Sequence, residues 1–136
     1  MQVSGILETA LSVAEPAVSA AFYKRLFGFD TLLDNERLIA LSVAGRNVLL
    51  LFKKGATEAP ATLPGGVIPG HGASGRSHLA FSITAEEVDP WQKRLAAEGV
   101  TVESVVSWPG GARSIYFRDP DQHLLELMSP GFWAIY

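Results

Sequence analysis

Three side chains capable of acid–base or ligand chemistry interrupt apolar stretches of the sequence: Glu8, His78 and Glu126. Residues 6–13 (ILETALSV) and 76–83 (RSHLAFSI) match as one strand at an offset of 70, and the match sets Glu8 opposite His78. An internal repeat of this kind constrains the architecture more than any single motif does. Because the chain has no Cys, any metal here must be held by imidazole and carboxylate groups.

A second match relates residues 38–52 to residues 114–128 at an offset of 76, and it sets Glu126 opposite Leu50. Alternate side chains of a strand face opposite sides of the sheet. By this parity each repeat has one apolar face suited to a covering helix and one mixed face of small and polar residues. The three polar side chains all fall on the mixed face, which we expect to line a cavity.

The composition of the chain limits what it can be. Its 136 residues suffice for one sizeable core, and 48% of them are hydrophobic, which excludes a disordered linker. The net charge is only −3 and no run of Lys or Arg occurs, so nucleic acid is a poor partner. No stretch is apolar enough to span a membrane, and no signal-peptide pattern opens the chain. We expect a cytoplasmic protein that binds a small molecule.

Helix and turn signals predict the order of the elements in the first repeat. Glu15-Pro16 predicts a helix start with Pro in the first position, and Gly28 predicts the helix end. Apolar residues between them recur at helical spacing, beginning with Val18. Gly45-Arg46 predicts a hairpin turn. The strands expected around these elements are 6–13, 30–33, 38–44 and 47–52.

Residues 53–75 separate the two repeats and are rich in Gly, Pro and Ala. This composition predicts that the segment holds no regular element. Loops of this length in compact domains often cover a functional site or link two parts of a chain. We interpret the segment as the joint between the repeats and as a candidate lid.

The helix of the second repeat has two candidate starts. Thr84 and Glu87 have the spacing of a capping box, but Pro90 would then remove a helical hydrogen bond. Alternatively, Asp89 caps a helix whose first residue is Pro90. Gly99 ends the helix in either case. The other elements expected are strands at 76–83, 101–106, 113–117 and 124–128, with a turn at Asp119–Gln122.

Each repeat therefore has the order strand, helix and three strands. One helix cannot cover both faces of a four-stranded sheet, so we expect the repeats to pair within a single α+β domain. We place the first module at about residues 4–54, the loop at 55–75, the second module at 76–129 and an aromatic tail at 130–136.

Four motifs give the chain a resemblance to a known family: LETALSV, AAFYKRLFGFD, HLAFSI and SIYFRDPDQHLLEL. They resemble the vicinal oxygen chelate superfamily, which includes glyoxalase I, extradiol dioxygenases, fosfomycin-resistance enzymes and bleomycin-binding proteins. The resemblance covers nearly the whole chain and implies two βαβββ modules whose mixed sheet curls around a cavity, with helices on the outer face. It also implies one divalent metal, with Glu8, His78 and Glu126 as ligands and Leu50 at a fourth position that cannot ligate.

A buried polar network without metal is the alternative for these three residues. Two carboxylates that face one cavity repel each other, and burying one of them unpaired costs several kcal/mol. A divalent cation removes this conflict, because the charges of two glutamates, a neutral His and the ion sum to zero. Three ligands also leave open positions for water or substrate. We therefore expect one divalent ion, namely Mn, Fe, Zn, Ni or Mg.

Further residues are candidates for catalysis or substrate binding. Glu8 and Glu126 are candidates for moving a proton, as the metal-bound glutamates of glyoxalase I are thought to do. Tyr116 shares the strand face of Glu126 and is either a hydrogen-bond donor to substrate or a pocket wall. His71 is either a solvated loop residue or a base over the metal, and His123, beside a turn, is expected at the surface. The other candidate pocket residues are Phe52, Trp108 and Arg113.

Two hypotheses follow for the function. The first is a divalent-metal-dependent enzyme of the glyoxalase or dioxygenase type, a lyase, isomerase or oxidoreductase that chelates a small substrate through adjacent oxygens. The second is a non-enzymatic protein that binds a drug or antibiotic, as bleomycin-resistance proteins do. In either case the open sheet edges and the aromatic tail predict a homodimer.

Overall fold

The computed structural model describes all 136 residues and divides them into two compact units, residues 1–75 and 76–136. Each unit contains a four-stranded mixed sheet and one α-helix. The α+β class and the two repeated modules predicted from the sequence are therefore confirmed. Neither α-helix has the length and hydropathy needed to cross a membrane.

The first unit follows the order expected of the first repeat. Its main elements are β1 (Glu8–Val13), α1 (Pro16–Phe27), β2 (Asp30–Asp34), β3 (Leu38–Val43) and β4 (Asn47–Lys53). The strands pair in the order β1-β4-β3-β2, with β1 parallel to β4 and the other neighbours antiparallel. The helix packs on this sheet through contacts with β3 and β4.

Local signals set both ends of α1. Pro16 is its first residue, where the N–H that Pro lacks would have no helical partner. Gly28 ends the helix in the left-handed conformation (φ 73°), and its N–H donates to the Lys24 carbonyl. The apolar stripe expected from the sequence is wrong at Val18, which is 57% exposed. The face of the helix that packs against the core is instead the one that carries Tyr23, a fully buried residue.

The segment between the repeats contains a short hairpin that the composition did not predict. Its strands, β5 (Ala61–Leu63) and β6 (Gly66–Ile68), pair antiparallel. The expectation that residues 53–75 hold no regular element was therefore wrong. Pro64 lies in the turn, where no hydrogen bond between the strands needs the N–H that Pro lacks. The β-branched residues Thr62 and Val67, which favour strands, face each other across the pair.

The second unit repeats the arrangement of the first. Its elements are β7 (His78–Ser82), a 3-10 turn (Ala85–Glu87), α2 (Val88–Ala97), β8 (Val102–Ser107), β9 (Arg113–Arg118) and β10 (Leu124–Met128). The strands pair in the order β7-β10-β9-β8, with β7 parallel to β10. Contacts with β8 and β9 hold α2 on this sheet.

The chain enters α2 through the 3-10 turn, which reconciles the two candidate helix starts. The backbone N–H of Thr84 donates to Glu87 Oε2 at 2.8 Å, as the capping box predicts. The α-helix begins at Val88, so Pro90 is its third residue, among the first four whose N–H groups have no helical partner. Pro90 therefore costs no hydrogen bond, because the capping box and the α-helix begin at different residues.

The two sheets use the same pairing register. Leu50 lies opposite Ala10 in the first sheet, and Glu126 lies opposite Ala80 in the second. The two pairs are related by the offsets of 76 and 70 that the sequence match gave. By the same register, the first residues of β1 and β7 are equivalent. The internal repeat is therefore a structural repeat.

Burial follows the strand parity that the sequence predicts. In β1, Leu11 and Val13 are 2% and 1% exposed, whereas Glu8 is exposed. In β9, Ile115 and Phe117 are fully buried. Each unit thus places its apolar strand face in a core, which leaves the mixed face to present the polar side chains.

Candidate metal centre

His78 and Glu126 form the core of the candidate site. Parallel pairing of β7 with β10 places both side chains on the mixed face of the second sheet. His78 Nε2 lies 3.1 Å from Glu126 Oε2. The Glu126 side chain is 7% exposed and the His78 side chain 49% exposed. A buried carboxyl group therefore contacts an imidazole that solvent can reach.

The other ring nitrogen of His78 defines the tautomer that a neutral imidazole would adopt. Nδ1 lies 3.1 Å from the carbonyl oxygen of Leu124, and since a carbonyl can only accept, Nδ1 carries a hydrogen. In a neutral imidazole Nε2 then bears a lone pair, and this lone pair faces a carboxylate oxygen. Two acceptors that converge in this way need a proton or a cation between them.

The spacing of these two acceptors fits a shared metal ion. Ligand nitrogens and oxygens lie about 2.1 Å from such ions, so two ligands at about a right angle are about 3.0 Å apart. The Nε2–Oε2 distance of 3.1 Å agrees with this separation. A metal-binding His also commonly donates its second N–H to a backbone carbonyl, as His78 does to Leu124. The pair is therefore a candidate for two of the ligands of a divalent metal.

Tyr116 holds the second oxygen of the Glu126 carboxylate. The two residues lie opposite each other in the β9–β10 register, and the Tyr116 hydroxyl donates to Oε1 at 2.9 Å. Burial raises the pKa of Tyr116, a hydrogen bond with Ser114 lowers it, and the hydrogen bond to Glu126 and the charge of that carboxylate raise it again. The net shift of the pKa is upward, so Tyr116 remains a donor. Oε1 is thus engaged while Oε2 faces His78.

Trp108 and Ser114 form a separate hydrogen bond on the same sheet. Trp108 Nε1 donates to the Oγ of the fully buried Ser114 at 2.8 Å. The Trp108 ring packs against Phe132, with the ring centroids 4.6 Å apart. Ser114 was not among the sequence candidates, although it shares the strand parity of Tyr116. That parity was the signal that could have found it.

The third predicted ligand, Glu8, belongs to the first unit. It is the first residue of β1, it is exposed, and its side chain forms no hydrogen bond or ion pair. Leu50, at the fourth position, is half-buried on β4. The structure contains no group of three or more His, Asp or Glu side chains arranged to hold a metal. It therefore brings together His78 and Glu126 of the three predicted ligands.

Phe52 and His71 lie together in the first unit. Their rings meet edge-on, with centroids 5.4 Å apart and planes at 80°. Phe52 is half-buried and has the strand parity of Leu50. The His71 backbone N–H donates to the carbonyl of the buried Thr57 at 2.8 Å, and the His71 side chain is exposed. His71 is thus a tethered loop residue whose ring remains open to solvent.

Arg113, another candidate pocket residue, alternates with Tyr116 along β9 and faces the helix-covered side of the sheet. Its guanidinium Nη1 donates to Asp89 Oδ1 of α2 at 2.9 Å. The charge of Arg113 is therefore paired away from the face that carries Tyr116 and Glu126. This placement lends no support to a role in substrate binding.

His123 is buried, with 1% of its surface exposed. Its Nδ1 accepts from the Ser77 N–H at 2.9 Å, and its own backbone N–H donates to Asp119 Oδ1 at 2.9 Å. The expectation that His123 lies at the surface was wrong, because the ring links the turn before β10 to the residue that precedes β7.

Known proteins resemble the chain over nearly its whole length. The sequence profile described as the Glyoxalase/Bleomycin resistance protein/Dioxygenase superfamily matches residues 5–127. Lactoylglutathione lyase from Agrobacterium tumefaciens has a structure with a TM-score of 0.89 and 35% identity, covering 98% of this chain and 99% of that chain. The fosfomycin resistance protein FosX from Listeria monocytogenes, solved with Mn(II) and sulfate, gives a TM-score of 0.71 and 26% identity, covering 96% and 94%.

Sequence comparison gives relatives of the same kind. Metallothiol transferase FosB from Bacillus licheniformis is 29% identical over 127 residues, which cover 93% of this chain and 75% of that protein. The profile match spans most of the chain, and the Agrobacterium structure is similar over nearly all of both chains. The protein belongs to the Glyoxalase/Bleomycin resistance protein/Dioxygenase superfamily.

Proposed function

We propose that the protein is a divalent-metal-dependent enzyme that acts on a small substrate bound through adjacent oxygen atoms. One observation carries the proposal: His78 Nε2 lies 3.1 Å from Glu126 Oε2, while His78 Nδ1 and Glu126 Oε1 are engaged elsewhere. A cation satisfies both converging acceptors. The FosX structure with Mn(II) supports the choice of a divalent ion.

Glu8 is the proposed third ligand. The pairing register makes its position equivalent to that of His78, and with Glu126 the set sums to two carboxylates and one neutral imidazole. These charges balance one divalent ion, and three protein ligands leave open positions for two substrate oxygens. The proposal includes a homodimer, and Glu8 is supplied either by the same chain or by its partner.

The residues of the site have different roles in this proposal. A bound divalent ion supplies Lewis-acid polarisation of the substrate oxygens. Glu126 is held by Tyr116 through Oε1, so it is a fixed group poorly placed to carry a proton. Glu8, whose side chain has no hydrogen-bond partner, is the better candidate for moving a proton to and from substrate carbon or oxygen.

The reaction we favour is a proton transfer of the glyoxalase type. The 35% identity to lactoylglutathione lyase over nearly the whole chain supports it. A second candidate is thiol transfer of the kind for which the metallothiol transferase FosB is named. Its support is that FosB relatives match more than nine-tenths of the chain in sequence, although at the lower identity of 26–29%.

The experiment that tests the proposal starts from protein stripped by a chelator and reloaded with Mn²⁺, Fe²⁺, Zn²⁺, Ni²⁺ or Mg²⁺. Formation of lactoylglutathione and thiol-dependent loss of fosfomycin are then measured for each preparation. We expect one ion to restore turnover in one of the two assays. The variant E86Q, at an exposed glutamate on the 3-10 turn, serves as the control that keeps activity.

The contrary result is also specific. If every reloaded preparation holds less than about a tenth of an equivalent of metal and turns over neither substrate, the enzyme proposal fails. The chain would then be a small-molecule-binding member of its superfamily.

A further inference from the structure

His123 is a buried imidazole that the proposed metal chemistry does not use. It lies between the β9–β10 turn and the start of β7. The turn occupies both of its backbone groups. Its N–H donates to Asp119 Oδ1 at 2.9 Å, and its carbonyl accepts from the Asp119 N–H at 3.2 Å. The side chain of His123, rather than its backbone, therefore makes the contact with the segment that leads into β7.

That contact is made with the residue that precedes His78. The Ser77 N–H donates to His123 Nδ1 at 2.9 Å, and the Ser77 carbonyl accepts from the Leu124 N–H at 2.8 Å. Because Nδ1 of His123 accepts, it carries no hydrogen, and the hydrogen of the ring lies on Nε2. Leu124 is the first residue of β10, so the His123 side chain continues the pairing of β7 with β10 one bond further.

The additional bond matters because β7 is an edge strand. The strand order places β10 on one side of β7 and no strand of that sheet on the other. His78 is the first residue of β7, and strand ends are among the segments that open at the lowest free energy. The bond from Ser77 to His123 closes the pairing immediately before His78, whose own Nδ1 lies 3.1 Å from the Leu124 carbonyl oxygen.

The first module contains an equivalent contact. The offset of 76 relates His123 to Asn47, and the offset of 70 relates His78 to Glu8. Asn47 Nδ2 donates to the Ile6 carbonyl, which belongs to the peptide group equivalent to the one whose N–H donates to His123. In both modules, a polar side chain at the same position thus bonds the peptide group that leads into a proposed metal ligand.

We infer from these contacts that His123 is a positioning residue for the proposed metal ligand His78. By holding the Ser77 N–H beside β10, it keeps the backbone of His78 in register. Nδ1 of His78 then stays on the Leu124 carbonyl, and Nε2 stays beside Glu126. The consequence for metal binding rests on the proposed function. The bond between Ser77 and His123, in contrast, is a property of the metal-free chain.

Two substitutions of His123 separate a positioning role from simple packing. H123N and H123L introduce side chains of similar size and branching, and both remove the ring with its Nε2. Only Asn offers an oxygen that can accept from the Ser77 N–H, and Asn is the residue at the equivalent position of the first module. A residue that merely fills space would tolerate Leu at least as well as Asn. A positioning role predicts that Asn preserves what Leu loses.

Amide hydrogen exchange in the metal-free protein measures the hydrogen bond itself. We expect the Ser77 N–H to exchange slowly in the wild type and in H123N, and faster in H123L. The internal control is the Ile83 N–H, which donates to the Met128 carbonyl at 2.9 Å just beyond the other end of β7. It should exchange equally in all three proteins. Equal exchange of the Ser77 N–H in H123N and H123L would overturn the inference.

The functional consequence is measured as the affinity for Mn²⁺. H123L should bind Mn²⁺ about three to ten times more weakly than the wild type, the range expected for loss of one hydrogen bond, and H123N should stay within about twofold. The control is S129A, since Ser129 is equally buried and accepts from the Arg113 N–H at 2.8 Å, away from β7. It should keep the wild-type affinity. Equal affinities in H123N and H123L would overturn the positioning role.

The two proposals fail in different ways. If the wild-type chain binds no Mn²⁺, the proposed function fails, while exchange of the Ser77 N–H still decides whether His123 holds the start of β7. If H123L does not fold, H123M takes its place in both measurements, because a flexible, unbranched side chain adapts to the space and offers only a weak acceptor.

Discussion

Glu126 is a carboxyl group in a strand whose other buried residues are apolar, and its surroundings explain how it is accommodated. The residue as a whole is 5% exposed, yet Oε1 accepts from Tyr116 and Oε2 faces His78. No buried side-chain nitrogen or oxygen in the chain lacks a hydrogen-bond partner. A hydrogen on His78 Nε2 satisfies Oε2 in the metal-free chain and the proposed ion would satisfy it when bound, so in either state the carboxylate avoids the desolvation cost of an unpaired group.

Strand parity alone was sufficient to group Tyr116 and Glu126, because cross-strand neighbours on one face must meet. It could not reveal that Trp108 donates to Ser114, since that contact depends on how the turn before β9 folds. It also could not reveal the burial of His123, which depends on how the Asp119 turn folds back toward β7. The spacing of apolar residues does not predict contacts that depend on the geometry of a turn.

The raised pKa of Tyr116 predicts how the stability of the metal-free protein depends on alkaline pH. Since the folded-state pKa lies above the unfolded value of about 10, the folded chain holds this proton more tightly. The contribution is complete below about pH 10 and is lost as the pH rises through the folded pKa. The free energy of unfolding should therefore fall more steeply with pH in the wild type than in Y116F.

This dependence is measured by chemical denaturation at a series of pH values above about 9. Y136F serves as the control, because Tyr136 donates to the backbone carbonyl of Ile83 and lies away from Glu126. A wild type and Y116F with parallel pH curves would show that Tyr116 is not held as a donor.

At the scale of the elements, the repeat determines the site. The pairing register makes Leu50 equivalent to Glu126, so the first module carries an apolar residue where the second carries a proposed ligand. The order of strand, helix and three strands was predictable because each element has a clear period and a Pro or Gly boundary. The β5–β6 hairpin was not, because strands of three residues are too short to give a period.

The variant L50E tests the equivalence of the two modules. We expect it to add a carboxylate ligand and to tighten metal binding severalfold, since a fourth ligand completes the set that the repeat implies. The matched control is L50Q, which has the same shape and no charge. Metal affinity is measured by competition with a chelator. Weaker or equal affinity in a folded L50E protein would argue against the equivalence.

At the scale of the whole molecule, exposed apolar surface is the unexplained feature. Leu32 and Leu33 on the edge strand β2 are 58% and 49% exposed, and Val67 and Trp133 are 62% and 61% exposed. Open sheet edges and apolar side chains of this kind commonly mark an interface between subunits. They support the homodimer included in the proposed function.

The homodimer is checked by light scattering at tens of micromolar protein. We expect a mass of two chains of 14.6 kDa each, and we expect the dimer to persist when metal is removed because the exposed side chains proposed to form it are apolar. A mass of one chain under these conditions would contradict the prediction.

The central claim is that His78 and Glu126 hold a divalent ion, and a calorimetric titration of Mn²⁺ into chelator-stripped protein tests it most directly. We predict one ion per chain for the wild type and for the E86Q control. In E126Q the affinity should fall by at least about a hundredfold, because changes to the hydrogen-bond partners of a ligand alone cost about 10- to 100-fold. Equal Mn²⁺ affinity in E126Q and E86Q would contradict the account.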